Sequence, residues 1–183
     1  LFRSVAAALR LHGEGVRAAD LDTVTIRLPP NAFALSGKHF RRGEPHSVGD
    51  AISSAAYGVA VALAKGRVVM TDFQPDAFAD EAVLEVAGRV VLEEDRSGND
   101  AKTLVPQSVS VRLRTGAVRE AVTPAMPGSP ESPLTPAELR RKFQACLAHS
   151  ARPVSSKQAD ALADSVENLE RLRSVADLPL AVP

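Results

Sequence analysis

The chain has 183 residues, 45% of them apolar, and its 22 basic side chains balance 22 acidic ones. This composition is ordinary for a globular protein of one or two small domains, and the balanced charge gives no reason to expect nucleic acid or an anionic membrane surface as a partner. The single cysteine excludes a disulfide within the chain, which favours a cytoplasmic location, and no apolar run reaches the roughly 18 residues that a membrane helix needs.

A helical pattern opens the sequence without a capping residue in front of it. Phe2, Val5, Ala6 and Leu9 recur at helical spacing, which predicts a helix over residues 1–11 with an apolar stripe. We therefore expect that the sequence begins inside a longer polypeptide. Residues 22–28 then alternate apolar and polar side chains, which predicts a half-buried β-strand that ends at two prolines.

A polar segment, residues 31–45, follows the strand, and its poor periodicity predicts an irregular loop. The loop contains four closely spaced cationic side chains, Lys38, His39, Arg41 and Arg42. These side chains could attract a carboxylate or a phosphate at the mouth of a site, or they could simply be solvated.

The longest run without a helix breaker covers residues 50–66 and predicts a single buried helix. Its apolar side chains recur at helical spacing at Ile52, Ala56, Val59, Ala60 and Leu63. Ser47 and Asp50 resemble a capping box at its start, and Gly66 is a typical helix stop. The helix carries Tyr57, the only tyrosine in the chain. A buried phenol needs a hydrogen-bond partner or a ligand, so the pattern leaves both a structural and a functional hydroxyl open.

Short elements are predicted over residues 67–122. An extended segment over residues 67–73 precedes an amphipathic helix over residues 76–86 with Phe78, Val83 and Val86 inward. A strand over residues 89–94 leads into a charged, solvated loop. Strict alternation over residues 107–114, followed by Thr115-Gly116 and a second strand over residues 117–122, predicts a β-hairpin.

Prolines and helix signals dominate the rest of the sequence. Four prolines in residues 123–133 predict a linker or an ordered crossing. Thr135, Pro136 and Glu138 then form a capping box with proline at the first helical position, and begin a helix whose core-facing side carries Leu139, Phe143 and Cys146. A last helix follows Ser155 and carries Ala159, Leu162, Val166, Leu169 and Leu172. These elements predict an α+β fold with helical ends.

No motif in the sequence specifies a chemistry by itself. The sequence has no glycine-rich phosphate loop, no nucleophile elbow and no histidine or cysteine pair at metal-ligand spacing. Its four histidines, His12, His39, His46 and His149, are typical of surface side chains. His46 is the exception to watch, because it stands just before the Tyr57 helix and could share its neighbourhood.

Two stretches of the chain follow a known family pattern. The first matches A-x-F-S-x-P-Y-x-V-A-x-A-L-x-x-G at Ala51, Ser54, Tyr57, Val59, Ala60, Ala62, Leu63 and Gly66. The second runs from the hairpin turn through the proline-rich crossing and matches at Gly116, Gly128, Pro130, Pro133, Leu134, Glu138, Lys142 and Phe143. In order and spacing they resemble the C-terminal half of the MmgE/PrpD family, which includes 2-methylcitrate dehydratases, cis-aconitate decarboxylases and iminodisuccinate epimerases. Ser53 and Ala56 depart from the pattern, where the family usually has Phe and often has Pro.

The resemblance implies a fold of two parts. Family members have a large all-helical domain and a smaller, lid-like α+β domain. Here the resemblance implies a two-layer α/β sandwich with a mainly antiparallel sheet over residues 16–123, a proline-rich crossing over 124–134, and helices over 1–15 and 135–183 that belong to the all-helical domain.

The resemblance also implies a function. Family members act without a metal or an organic cofactor on small polycarboxylates, by removing a proton next to a carboxylate. We predict Tyr57 as a catalytic residue and a substrate-binding group formed by Ser54, His46, Lys38 and Arg41. The preceding helical domain would supply the histidine and lysine chemistry, and a homo-oligomer is expected. The alternative is a non-catalytic dimerisation or binding module, which the departures at Ser53 and Ala56 favour.

Overall fold

A computed structural model describes residues 2–41, 43–97, 107–150 and 154–179. The chain divides into two compact units, Leu1–Ser132 and Pro133–Pro183. The elements of the first unit, in chain order, are α1 (Phe2–Gly13), β1 (Leu21–Leu28), α2 (Pro30–Ser36), α3 (Val48–Ser53), α4 (Ala55–Lys65), α5 (Glu81–Ala87), β2 (Val90–Glu94), β3 (Gln107–Leu113) and β4 (Val118–Thr123). The second unit contains α6 (Pro136–Leu147) and α7 (Ser156–Glu167).

The four strands of the first unit form one mixed sheet in the order β2-β1-β3-β4. β1 pairs with β3, and β3 with β4, in antiparallel fashion, so the predicted hairpin is confirmed. The partner on the other edge of β1 is β2, which is parallel to it because the chain returns through α4 and α5. The α+β class is therefore confirmed, with a sheet that is mixed rather than purely antiparallel.

One face of the sheet and the helices above it form the core. Alternating residues of the strands are buried at Val24, Ile26, Leu28, Val90, Leu92, Val109, Val111 and Ala121. α1 packs on β3, β4 and α4, while α5 packs on α4. Every residue of α4 from 55 to 63 is buried. Small side chains allow this close approach, because Ala and Gly occupy five of these nine positions.

The buried side of α1 is not the apolar stripe of its sequence. Val5 and Leu9 are only partly buried, whereas Ser4, Ala7, Ala8 and Leu11 are buried. Ser4 can lie inside because its hydroxyl donates a hydrogen bond of 2.9 Å to the side-chain oxygen of buried Gln107 on β3. The small residues face the core because α4 lies close to them.

Several predicted element bounds were wrong. The predicted loop over residues 31–45 includes α2, which begins at a proline in the first helical position. The predicted extended segment over residues 67–73 contains a 3-10 turn at Met70–Phe73. α5 begins at Glu81, not at residue 76, because the Asp80 carboxylate caps it by accepting hydrogen bonds from the amides of Ala82 and Val83. Most of the charged loop after β2 lies outside the described residues.

The second unit is a pair of helices with few buried side chains. The predicted capping box of Thr135 and Glu138 is confirmed, and Ser155 caps α7 in the same way. Arg140 of α6 forms ion pairs with Asp164 and Glu167 of α7.

The prediction that Cys146 is a core residue was wrong, since its side chain is exposed and no residue of α6 is buried. The last helix ends at Glu167, so Leu169 and Leu172 lie beyond it. The predicted domain divisions stay predictions.

Candidate functional site

The predicted helix over residues 50–66 is two helices separated by Ser54. The backbone of Ser54 is extended, and its hydroxyl accepts a hydrogen bond of 3.2 Å from the amide of Tyr57. Ser54 is therefore the N-cap of α4, and Ser47 caps α3 by accepting from the amide of Asp50. The break turns Ile52 away from the core, so the prediction that Ile52 is inward was wrong: 52% of its surface is exposed. Gly66 ends α4 in the left-handed conformation, as predicted.

Tyr57 lies in the first turn of α4 and is enclosed, with 1% of its surface exposed. Its hydroxyl donates to the carbonyl oxygen of Asp72 at 2.8 Å and lies 3.4 Å from that of Ala77. The ring makes edge-on contacts with Phe73 and Phe78, at centroid distances of 5.8 and 6.2 Å. We call the four residues Asp72, Phe73, Ala77 and Phe78 the Tyr57 socket. The sequence left open which group accepts a hydrogen bond from the phenol. In the structure the acceptor is a main-chain carbonyl oxygen.

Ion pairs anchor the socket to the end of α4. The ammonium of Lys65 lies 2.9 Å from one carboxylate oxygen of Asp72 and 3.0 Å from the carboxylate of Asp80. Asp72 is buried, and its second oxygen accepts from the Val69 amide at 2.9 Å and faces the Arg67 guanidinium at 3.5 Å. A buried carboxylate is tolerated only when it is paired in this way.

The protonation states follow from this environment. Burial raises the pKa of Tyr57 above 10, the neighbouring carboxylates of Asp72 and Asp80 act in the same direction, and the Lys65 ammonium opposes them. The hydrogen bond to Asp72 raises the pKa of Lys65, while the hydrogen bond from Lys65 lowers the pKa of Asp80. At neutral pH the phenol is therefore protonated and can donate a proton.

The predicted cationic residues lie on the exposed loop between α2 and α3. Lys38, His39, Arg41 and His46 are exposed, and Arg42 lies outside the described residues. A cleft of about 770 Å³ separates this loop from α5 and is lined by Phe40, Gly43, Leu84, Arg89 and the carboxylates Glu81 and Glu85. Tyr57 and Ser54 are not among its described lining residues. The cleft and the Tyr57 socket are distinct features of the first unit, and the assignment of these residues to one substrate site stays a prediction.

Sequence reasoning missed Lys65, Asp72 and Asp80. The available signal was weak: a lysine in the last turn of a buried helix, followed by two aspartates that each cap a turn. It also missed that His12 is partly buried, with its Nδ1 2.8 Å from the carbonyl oxygen of Leu63. Within the described ranges, no group of three or more His, Cys, Asp or Glu side chains could hold a metal ion. No described helix has the length and apolar character to cross a membrane.

The chain was compared with curated protein sequences and with protein-family models. No curated protein sequence matches the chain. The family model for the MmgE/PrpD C-terminal domain matches residues 2–170, which include β1 to β4, α1 to α7 and the Tyr57 socket. The match agrees with the α+β fold and with the two patterned stretches of the sequence. The chain therefore belongs to the MmgE/PrpD family, as a C-terminal domain.

Proposed function

We propose that this chain is the C-terminal part of a cofactor-independent lyase or isomerase that acts on a small di- or tricarboxylate. The observation that carries the proposal is the family match over residues 2–170. In such a reaction a base removes a proton next to a carboxylate. Dehydration then breaks a carbon–oxygen bond, and the leaving hydroxide takes up a proton to depart as water. Decarboxylation and epimerisation begin at the same kind of acidic position, so the proposal includes all three outcomes.

Tyr57 is the residue we propose as the acid that this chain supplies. The phenol holds its proton at neutral pH, as a general acid must, and contact with the substrate has to lower its raised pKa for efficient proton transfer. The hydroxyl currently donates to the Asp72 carbonyl, so a substrate oxygen must replace that carbonyl before proton transfer. We propose that Ser54, His46, Lys38 and Arg41 bind the substrate, and the exposure of the cationic loop supports a first contact with carboxylates.

We further propose that a preceding helical domain of the same polypeptide completes the site. The exposed apolar side chains of the second unit support a partner of this kind, since Leu139, Val166 and Leu169 are each about half exposed. A homo-oligomer and a cytoplasmic location belong to the same proposal. The chain alone is expected to be inactive, because the histidine and lysine chemistry is expected from the preceding domain.

The test uses the complete polypeptide that contains this chain, with 2-methylcitrate, cis-aconitate and iminodisuccinate as substrates. Tyr57→Phe should lower kcat by about 100-fold or more if the phenol donates a proton in the rate-limiting step. Lys38→Met and Arg41→Met should raise KM with little change in kcat, whereas Arg119→Met, on exposed β4, is the matched control. Wild-type turnover by Tyr57→Phe would remove Tyr57 from the mechanism.

The enclosed Tyr57 hydroxyl favours a second candidate, a non-catalytic dimerisation or binding module. In that case the phenol serves only to join α4 to the socket, as its two carbonyl partners allow. A folded complete polypeptide without turnover of any of the three substrates, together with a stable dimer in sedimentation, would favour the module over the enzyme.

A further inference from the structure

Lys65 binds both ends of the segment that encloses Tyr57. Its ammonium contacts Asp72 and Asp80, which stand eight positions apart in the sequence. The Tyr57 socket begins at Asp72 itself, and its other three residues lie between Asp72 and Asp80 in the sequence. Lys65, in the last turn of α4, therefore holds this segment over the phenol of Tyr57, which lies in the first turn of the same helix.

Two apolar side chains of residues 69–80, Phe73 and Phe78, pack against the core. Asp72 is the only buried residue among them, and it is anchored by charge. Phe73 and Phe78 are only partly buried, and Val69 and Met70 are exposed by 39% and 47%. The ion pairs at Asp72 and Asp80 thus add a second anchor to a segment whose apolar contacts are only partly buried.

We propose that Lys65 is a positioning residue for Tyr57. By holding Asp72 and Asp80 it keeps residues 69–80 closed over the phenol and fixes the carbonyl oxygens to which the hydroxyl donates. Release of Lys65 opens this segment and exposes the hydroxyl. The inference deepens the proposed function and rests on it for one consequence only, that a substrate reaches Tyr57 when the segment opens.

The 183-residue chain allows a direct test, because it contains one tyrosine and no tryptophan. Phenolate absorbance during an alkaline titration therefore reports Tyr57 alone. The charged groups to consider are Lys65, Asp72, Asp80 and Arg67. A positioning role and a purely electrostatic role of Lys65 predict opposite results, since the ammonium itself lowers the pKa of Tyr57 whereas the burial it maintains raises that pKa.

In Lys65→Met the positioning role predicts that the pKa of Tyr57 falls toward about 10, the value of an exposed phenol, because the socket opens to water. An unchanged or higher pKa would overturn the inference. Lys65→Arg should keep the pKa of the wild type, since it restores the charge. Lys157→Met removes an exposed lysine of α7 and should also leave the titration unchanged.

A second variant decides the question if Lys65→Met does not fold. Asp80→Asn keeps a side-chain oxygen for the amides of Ala82 and Val83 but removes the charge that pairs with Lys65. Quenching of tyrosine fluorescence by acrylamide should then rise severalfold relative to the wild type. A variant quenched like the wild type would contradict the positioning role. Both optical tests are independent of turnover, so their failure is distinguishable from retained activity in Tyr57→Phe.

Discussion

The imidazole of His12, at the end of α1, lies directly against Gly66, the residue that ends α4. Its Nδ1 is 2.8 Å from the carbonyl oxygen of Leu63, and it carries the proton because a carbonyl can only accept. A Cβ atom on Gly66 would overlap the imidazole ring. The C-terminal ends of α1 and α4 therefore pack closely, because the imidazole of His12 occupies the space that a side chain at residue 66 would need.

Gly66→Ala should lower the free energy of unfolding by about 2–4 kcal/mol, the sum of left-handed backbone strain and loss of the His12 hydrogen bond. Gly66 has a φ of 66°. Urea unfolding provides the measurement. Gly116→Ala is the matched control, because Gly116 also has a positive φ, of 85°, but a Cβ there meets open space. Its loss should be only about 1–2 kcal/mol. Equal losses in the two variants would show that His12 is not displaced.

Ser54→Ala should cost about 1 kcal/mol of stability, because the Tyr57 amide loses its capping acceptor. Ser53→Ala is the adjacent control and should change stability by less than about 0.5 kcal/mol, since the exposed Ser53 hydroxyl only donates back to its own helix. Ser54→Asn should restore most of the loss. Equal effects at residues 53 and 54 would argue against the break between α3 and α4.

The stability of the chain should depend on pH through Tyr57, Lys65 and Asp80. Tyr57 and Lys65 have raised pKa values in the folded state, so their contribution is complete below the unfolded values of about 10 and 10.4 and is lost as the pH rises through the folded ones. Asp80 has a lowered pKa, so its contribution is present above about pH 3.9 and is lost as the pH falls through the folded value.

Urea unfolding from about pH 8 to about pH 11 should therefore show a steeper alkaline loss in the wild type than in Lys65→Met. The acid limb should flatten in Asp80→Asn. Parallel pH profiles in the wild type and Lys65→Met would contradict the ion pairs of Lys65 with Asp72 and Asp80.

The thiol of Cys146 should react completely and rapidly with a disulfide reagent in the folded 183-residue chain, because its side chain is exposed. It is the only cysteine, so the absorbance of the released thiolate reports it alone. Protection of the thiol in the complete polypeptide would support docking of α6 on the proposed preceding domain. Slow reaction in the 183-residue chain, reversed by denaturant, would show that α6 is covered.

Local signals predicted the fold most reliably. The hairpin of β3 and β4 and the capping box at Thr135 depend on residues within a few positions of each other, so the sequence contains the whole signal. The Ser54 break was less accessible, because a serine three residues before the Tyr57 amide fits both a continuous helix and a new N-cap.

Features set by distant neighbours could not be predicted in the same way. The inward side of α1 depends on the close approach of α4, and the exposure of Cys146 depends on how few residues pack on α6. The socket requires Lys65, Asp72 and Asp80 to meet across two turns and an irregular segment, which periodicity does not describe. The candidate site therefore needed the structure, whereas the fold class did not.

The central place of β1 has a consequence for synthesis on the ribosome. Val24 pairs with Val90 on one side and with Val111 on the other, so the first partner strand follows 66 residues later. At about 5–20 residues per second, β1 waits for about 3–13 s with both edges unpaired. Such a nascent strand is a template for unwanted pairing between chains, and the charged residues Asp22 and Arg27 and the prolines that end β1 limit it.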